Sequence, residues 1–199
     1  MIIKLSPVRS DAELRVTKVG DTLIINGVAL DFARLDGGST LDADAVGSEW
    51  VIRTVERIDG DLVVTLMLPH AADAPELARF PVDISNPAEG PVQLPGIEAG
   101  PAQLPAVSGV IDWSRVVTQA MKDQAAAEQH LAQVVAETAV RRDVADKAIA
   151  PLQDAVDLDE ATQAEAAALK QWKRYRVALN RLPDQPGYPA TIDWPAPPA

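Results

Sequence analysis

The sequence predicts an α+β fold, with a small antiparallel β-domain first and helices after it. Three observations point to this class. Short apolar runs separated by turn residues fill residues 1–85, which is typical of antiparallel strands. Residues 86–110 are rich in Pro and Gly, which favours a linker. From residue 111 onward, apolar residues recur at spacings of three and four, which indicates helices.

The β-domain, residues 1–85, contains seven candidate strands: IIKL, ELRVTKV, DTLIING, VALDF, SEWVIRTVERI, DLVVTLMLP and ARFPVDI. Three pairs, Gly20-Asp21, Asn26-Gly27 and Asp59-Gly60, are of residue types that accept positive φ in tight hairpin turns. In LVVTLML both faces are apolar, so we expect this strand to be central and covered on both sides.

The segment 86–110 contains a repeat, GPVQLP at 90–95 and GPAQLP at 100–105. Proline removes backbone donors and favours an extended conformation, so one interpretation is a semi-rigid spacer that makes few contacts. The alternative is that Leu94 and Leu104, at matched positions of the repeat, dock on neighbouring subunits as extended peptide.

The helical region opens with residues 111–140, which we predict as a long helix with Asp112 or Ser114 as its N-cap. The run continues without Gly or Pro to Ala150, and such a helix would be about 60 Å long at ~1.5 Å per residue. It cannot bury its apolar residues alone, so we expect it to pack against copies of itself or a partner. Pro151 predicts a kink, because the apolar spacing continues through it.

Residues 141–199 are predicted to form a helical hairpin with an IDWP tail. Thr162 and Glu165 match a capping box at the start of the second helix, and Pro183 closes that helix. Its predicted core stripe repeats at threes and fours: Leu169, Trp172, Tyr175 or Arg176, Leu179 and Leu182.

Composition and motifs argue against several functions. The formal net charge is -11, which disfavours binding to nucleic acid or anionic lipid, and the chain has no Cys. It has no run of 18 apolar residues and no signal-peptide pattern, so we expect a soluble intracellular product. The two histidines, His70 and His130, lack a metal-ligand spacing, and nucleophile-elbow and phosphate-loop motifs are missing. We therefore predict no enzymatic activity, no cofactor and no metal.

A basic cluster interrupts this acidic chain at Lys170, Lys173, Arg174, Arg176 and Arg181. It could be a solvated face that complements the carbonyl end of its own helix. It could instead be a docking face, since Arg beside Trp and Tyr is typical of interface hot spots. Nucleic-acid binding by this cluster is disfavoured by the surrounding acidic residues.

The C-terminal 59 residues, 141–199, resemble bacteriophage tail-fibre assembly proteins. The shared pattern is an Ile-x-x-Leu-Gln helix, an acidic loop followed by ATxxE, a LxxWKxYRVxLNR helix and a terminal P-x-IDWP-x-x-P. Residues 1–85 are similar instead to a small β-domain of tail-module proteins from phages and prophages of Pseudomonas-like hosts.

The resemblance implies a non-enzymatic accessory factor that helps a trimeric tail fibre to fold, with several copies around the fibre. It implies binding to the tail fibre or tail tip in the bacterial host cytoplasm. The rigid spacer and the long helix, which cannot bury its apolar residues alone, favour retention in the virion. The alternatives are a transient chaperone absent from the particle, or a host-glycan-binding module using Trp50. Trp194 would fold back beside Trp172. The implied partner-binding residues are Trp172, Lys173, Arg174, Tyr175, Arg176, Arg181 and Trp194.

Overall fold

The structure is a computed structural model that describes residues 1–97 and 101–198. It divides into two compact units, Met1–Lys122 and Asp123–Ala199. The first unit holds the strands and two short helices, and the second holds most of one long helix together with another helix and the C-terminal tail. The predicted α+β class is confirmed.

Strands and helices have the following bounds. The strands are β1 (Ile2–Arg9), β2 (Val16–Val19), β3 (Thr22–Ile25), β4 (Val28–Asp31), β5 (Thr40–Leu41), β6 (Val55–Ile58), β7 (Asp61–His70), β8 (Ile84–Ser85), β9 (Gly90–Pro91) and β10 (Val107–Ser108). The α-helices are α1 (Ala43–Val46), α2 (Glu76–Arg79), α3 (Gln119–Asp157) and α4 (Gln163–Asn180). Short 3₁₀ helices cover Trp113–Arg115 and Leu182–Asp184.

The strands form two five-stranded sheets, ordered β5-β6-β7-β1-β8 and β10-β4-β3-β2-β9. Six of the eight strand pairings among the described residues are antiparallel, as predicted, whereas β1 pairs with β7 in parallel over eight residue pairs and β10 pairs with β4 in parallel. A parallel pair needs a long crossover connection. Here the chain between β1 and β7 forms the β2-β3-β4 meander of the second sheet and then β5 and β6 of the first sheet.

The first unit has one apolar core that takes residues from both sheets, with Ile3, Leu23, Leu30 and Phe32 fully buried. β7 lies between β6 and β1 and is buried along most of its length, as the sequence predicts. The three turns are also confirmed, since Gly20, Asn26, Gly27, Asp59 and Gly60 all have positive φ.

Two predicted strands differ from the structure. Within SEWVIRTVERI the strand begins at Val55, and the earlier part contributes an isolated bridge at Val51. Within ARFPVDI, the first residues belong to α2 and the strand is reduced to β8. Pro75 caps α2, and Pro81 lacks the amide that a sheet ladder requires, which explains the loss of the earlier strand residues.

The segment 86–110 does not behave as a spacer with few contacts. β9 pairs with β2, β10 pairs with β4, and Val92 and Leu94 are buried in the core of the first unit. Leu94 is thus a core residue of its own chain, which contradicts its predicted docking on a neighbouring subunit. Leu104, its counterpart in the repeat, is 85% exposed. Part of the repeat, Gly100, lies outside the described residues.

The long helix starts later than predicted. Asp112 accepts a hydrogen bond from Ser114 N at 3.1 Å, so it caps the 3₁₀ turn Trp113–Arg115, whereas α3 begins at Gln119. Ile111 and Trp113 pack against the core of the first unit. α3 then continues through Pro151 to Asp157, and all residues from 123 to 133 are exposed.

The capping box of α4 is present as predicted. Thr162 Oγ1 accepts from Glu165 N at 3.2 Å, and the Glu165 carboxylate accepts from Thr162 N at 2.8 Å. These backbone and side-chain hydrogen bonds from Thr162 hold the pKa of Glu165 below its ordinary value. The reciprocal bonds satisfy amides at the helix start that would otherwise lack partners.

Candidate functional site

The second unit has a small core of its own, built by α3, α4 and the tail. Its buried members are Ala145, Tyr175, Leu179 and Leu182. Trp172, Tyr188, Ile192 and Trp194 pack around them and are partly buried. The hairpin and the IDWP tail therefore form one packed body, as the sequence predicts.

The aromatic residues of the predicted binding set belong largely to this core. The rings of Trp172 and Tyr175 meet edge to face, with centroids 5.8 Å apart. Tyr175 is 6% exposed, so it is the stripe residue that the sequence left open between Tyr175 and Arg176. Trp172 and Trp194 border the same cluster, and each is partly exposed.

The tail is fixed to the helices by polar contacts. The guanidinium of Arg141 lies 4.5 Å from the ring centroid of Trp194, a cation-π geometry. Arg141 also donates to Glu137 at 2.6 Å, which raises the pKa of the guanidinium, and Tyr175 raises it further. Gln185 donates to Asp193 O at 2.8 Å and accepts from Asp193 N at 2.9 Å.

Two cations of α4 face α3. Arg176 Nη1 donates to Asp146 Oδ1 at 2.6 Å. Lys173 Nζ donates to Gln153 Oε1, and the Lys173 side chain is partly buried. Lys173 is therefore not a fully solvated member of the basic cluster, because its amino group reaches Gln153 of α3.

Three other cations, Lys170, Arg174 and Arg181, are exposed. Within the part of the chain that the structure describes, their side chains form no ion pair or hydrogen bond. They follow each other at spacings of four and seven residues, which places them on one face of the helix.

A groove of about 770 Å³ runs along this face of α4. Its lining combines small and apolar side chains with the basic ones and with Gln185: Ala166, Leu169, Lys170, Lys173, Arg174, Val177, Ala178, Arg181 and Gln185. We call this feature the α4 groove. Of the predicted binding residues, it unites Lys173, Arg174 and Arg181, whereas Trp172, Tyr175, Arg176 and Trp194 lie outside its lining.

The sequence reasoning missed the residues that orient this surface. Arg141, Asp146, Gln153 and Gln185 come from α3 and from the turn after α4, 8 to 53 residues from their partners. Only the spacing of four between Glu137 and Arg141 was visible as a local signal. The apolar groove residue Val177, 45% exposed, could have been found as an apolar position outside the core stripe.

Residues with catalytic potential are scattered. Among residues 1–97 and 101–198, no group of three His, Asp or Glu side chains is placed to hold a metal ion. His70 and His130 contact backbone carbonyl oxygens, of Ala71 and Pro189 respectively, each at 2.9 Å. Trp50 is partly buried against the first core. In the same described ranges, every helix is too short or too polar to span a membrane.

Comparisons with known proteins converge on one family. The sequence model described as "Caudovirales tail fibre assembly protein, lambda gpK" matches residues 92–199. The chain is 60% identical over 50 residues to a probable tail fiber assembly protein of Acyrthosiphon pisum secondary endosymbiont phage 1, covering 25% of this chain and 31% of that protein. It is 54% identical over 55 residues to the tail fiber assembly protein of Escherichia phage lambda, covering 28% and 27%.

A similar match is found to protein TfaD of Escherichia coli strain K12, 54% identical over 55 residues, or 28% of each chain. The chain thus spans less than a third of the length of the curated relatives it matches. No solved structure matches it significantly.

Proposed function

The chain belongs to the Caudovirales tail fibre assembly protein family, and from this premise we propose that it is a non-enzymatic assembly factor that binds a phage tail fibre or tail-tip protein through its second unit. All of the second unit lies within the matched residues 92–199. The observation that carries the proposal is the row of unpaired cations on α4, in a unit whose hairpin and tail share one core.

The chain has 29 Asp and Glu against 18 Lys and Arg, so the basic character of α4 is a local exception to its acidic composition. From residue 163 to 181, α4 and its C-cap hold five cations and one carboxylate. An exposed cation row attracts an acidic surface over several ångströms and orients it on approach. The geometry therefore supports recognition of a protein partner.

We divide the predicted binding residues by role. Arg174 and Arg181 contact the partner directly, joined by Lys170. Tyr175, Trp172 and Trp194 keep the hairpin and tail in one shape. Lys173 and Arg176 tie α4 to α3 through Gln153 and Asp146.

The test is co-expression with a tail-fibre protein of the same phage, followed by size-exclusion chromatography with light scattering. We expect the fibre protein to be soluble and trimeric with the chain present, and the two to co-elute. Tyr175→Ala, which removes a core ring of the second unit, should abolish co-elution, whereas the exposed-site control Leu104→Ala should preserve it. A fibre that folds equally well alone and never co-elutes would refute the proposal.

We further propose that the protein stays on the fibre in the virion. Support comes from apolar side chains of α3 that remain exposed in the second unit, among them Leu131, Val135 and Val140, since a permanent partner would cover them. Mass spectrometry of purified particles should detect the chain at a fixed ratio to the fibre protein. Its absence from infectious particles would favour the alternative, a transient chaperone.

A further inference from the structure

We propose that the α4 groove binds an acidic, amphipathic peptide segment of the tail fibre, with apolar side chains seated on the groove floor and carboxylates on the cations of its edges. This inference rests on the proposed function and goes beyond it by naming the surface and the chemistry of the segment that it recognises.

The first argument is the arrangement of the lining residues. Ala166, Lys170, Arg174, Val177 and Arg181 follow each other at spacings of four, four, three and four, so they share one face of α4. From residue 166 to 181 the face is about 22 Å long at ~1.5 Å per residue. An extended segment of about six or seven residues would span it at ~3.3 Å per residue.

The second argument is the clustering of cations without a carboxylate partner in the groove. Elsewhere in the second unit, Arg141, Lys147 and Arg176 each pair with a carboxylate at 2.6 Å, whereas Arg142 is a single exposed cation without such a partner among the described residues. Lys170, Arg174 and Arg181 have no such partner among the described residues, although the chain has an excess of acidic residues. The groove therefore offers three cations whose charge the folded chain does not neutralise.

The third argument is the apolar floor. Val177 is 45% exposed and Leu169, although buried from solvent for the most part, lines the groove from below. A purely polar ligand would leave this floor uncovered, and a purely apolar ligand would leave the cations without counter-charges. A segment that alternates apolar residues with Asp or Glu satisfies both.

Gln185 gives the groove a defined end. Its amide is fixed by two hydrogen bonds to the backbone of Asp193, at 2.8 and 2.9 Å. The IDWP tail thereby orients a groove residue, and Ala196 and Pro198 of the same tail line a smaller neighbouring groove with Arg174 and Ala178. The position of the tail thus influences the shape of the binding face.

A second copy of this chain is the rival occupant. Its loop after α3 is exposed, with Leu158 at 69% beside Asp157, Asp159 and Glu160, and has a similar alternation of apolar and acidic residues. The proposed function already requires a surface that binds the fibre, and the α4 groove is the part of the second unit where unpaired cations cluster. We therefore assign the groove to the fibre and treat self-association as an outcome of the test.

The experiment compares two double charge reversals in the full chain. Lys170→Glu with Arg174→Glu changes the groove, and Arg9→Glu with Arg79→Glu makes the same change in net charge at exposed positions of the first unit. Affinity for the purified fibre is measured at low and at moderate salt, and circular dichroism verifies folding. We expect the groove variant to lose about tenfold or more in affinity and the control to stay within about twofold of the wild type.

The floor is tested separately, by Val177→Asp, which should weaken binding without removing any cation. A photo-crosslinking residue at position 177 should capture a fibre peptide in which Asp or Glu flanks apolar residues. If the wild-type chain forms no complex, the proposed function fails, and this inference fails with it. A complex that resists the groove reversal, weakens equally with the control, or crosslinks position 177 to residues 157–160 of a second copy would overturn this inference alone.

Discussion

Tyr175 is the residue on which the second unit depends most, since it is buried, contacts Trp172 edge to face and interacts with Arg141. We expect Tyr175→Ala to lower the free energy of unfolding of this unit by about 3 to 5 kcal/mol, as for other buried aromatic rings. Tyr175→Phe is the matched control, and it should cost no more than about 1.5 kcal/mol because it keeps the ring and removes only the hydroxyl that interacts with Arg141.

Urea denaturation followed by circular dichroism at 222 nm measures both variants, because the second unit holds most of the helix. Equal, small losses for the two substitutions would mean that the ring is dispensable and that the core of the second unit is formed by Leu179 and Leu182 with the tail.

Glu165 gives α4 a stability that depends on pH. The hydrogen bonds from Thr162 lower the pKa of Glu165 in the folded state. The ionised carboxylate therefore contributes fully to the free energy of unfolding above the unfolded-state pKa of about 4.3. This contribution is lost as the pH falls through the lower folded-state pKa. We expect Glu165→Gln to be less stable than the wild type at pH 6, with a stability difference that shrinks as the pH falls below about 4. A melting-temperature difference that stays constant over this range would contradict the role of the carboxylate.

At the scale of the element, Pro151 weakens α3. It lies inside the helix and is exposed, so it removes one backbone hydrogen bond without contributing buried contacts. Pro151→Ala should stabilise the second unit by up to about 3 kcal/mol. Ala150→Gly, at the exposed neighbouring position, should have the opposite sign and cost about 1 kcal/mol. The midpoints of urea denaturation report both, and an unchanged midpoint for Pro151→Ala would indicate that packing requires a bend there.

Local signals in the sequence predicted several elements correctly. The three positive-φ turns, the Thr162–Glu165 capping box and the core stripe of α4 depend on residues close together in the chain, so their physical causes are visible in the sequence. The exposed apolar residues of α3 also agree with the prediction that this helix cannot bury itself alone.

Long-range pairings were not predictable in this way. β1 and β7 are separated by the whole β2-β3-β4 meander, and no local pattern specifies that they pair in parallel. The orientation of Lys173 is similar, because it depends on Gln153 of α3 rather than on the periodicity of α4. The basic composition of the candidate site was visible in the sequence, whereas the division between paired and unpaired cations required the fold.

At the scale of the whole molecule, the match to the family begins at Val92, which is buried in the first unit. The matched residues therefore include a segment that completes the core of the first unit as well as the entire second unit. The Pro and Gly content of residues 86–110 is typical of a spacer, so the sequence did not reveal that this segment packs on the core. Two buried residues, Val92 and Leu94, hold the segment on the core of the first unit.

The repeat GPVQLP and GPAQLP allows this organisation to be tested with a matched pair of variants. Leu94 is 2% exposed and Leu104 is 85% exposed, although the two occupy equivalent positions in the repeat. Leu94→Ala should cost about 2 to 5 kcal/mol, because it removes buried methyl groups and leaves a cavity. Leu104→Ala should change stability by no more than about 0.5 kcal/mol. Chemical denaturation followed by the fluorescence of Trp50 and Trp113, both packed on that core, measures the difference. If both substitutions proved neutral, residues 86–110 would be a spacer after all, and the first unit would have to be stable without them.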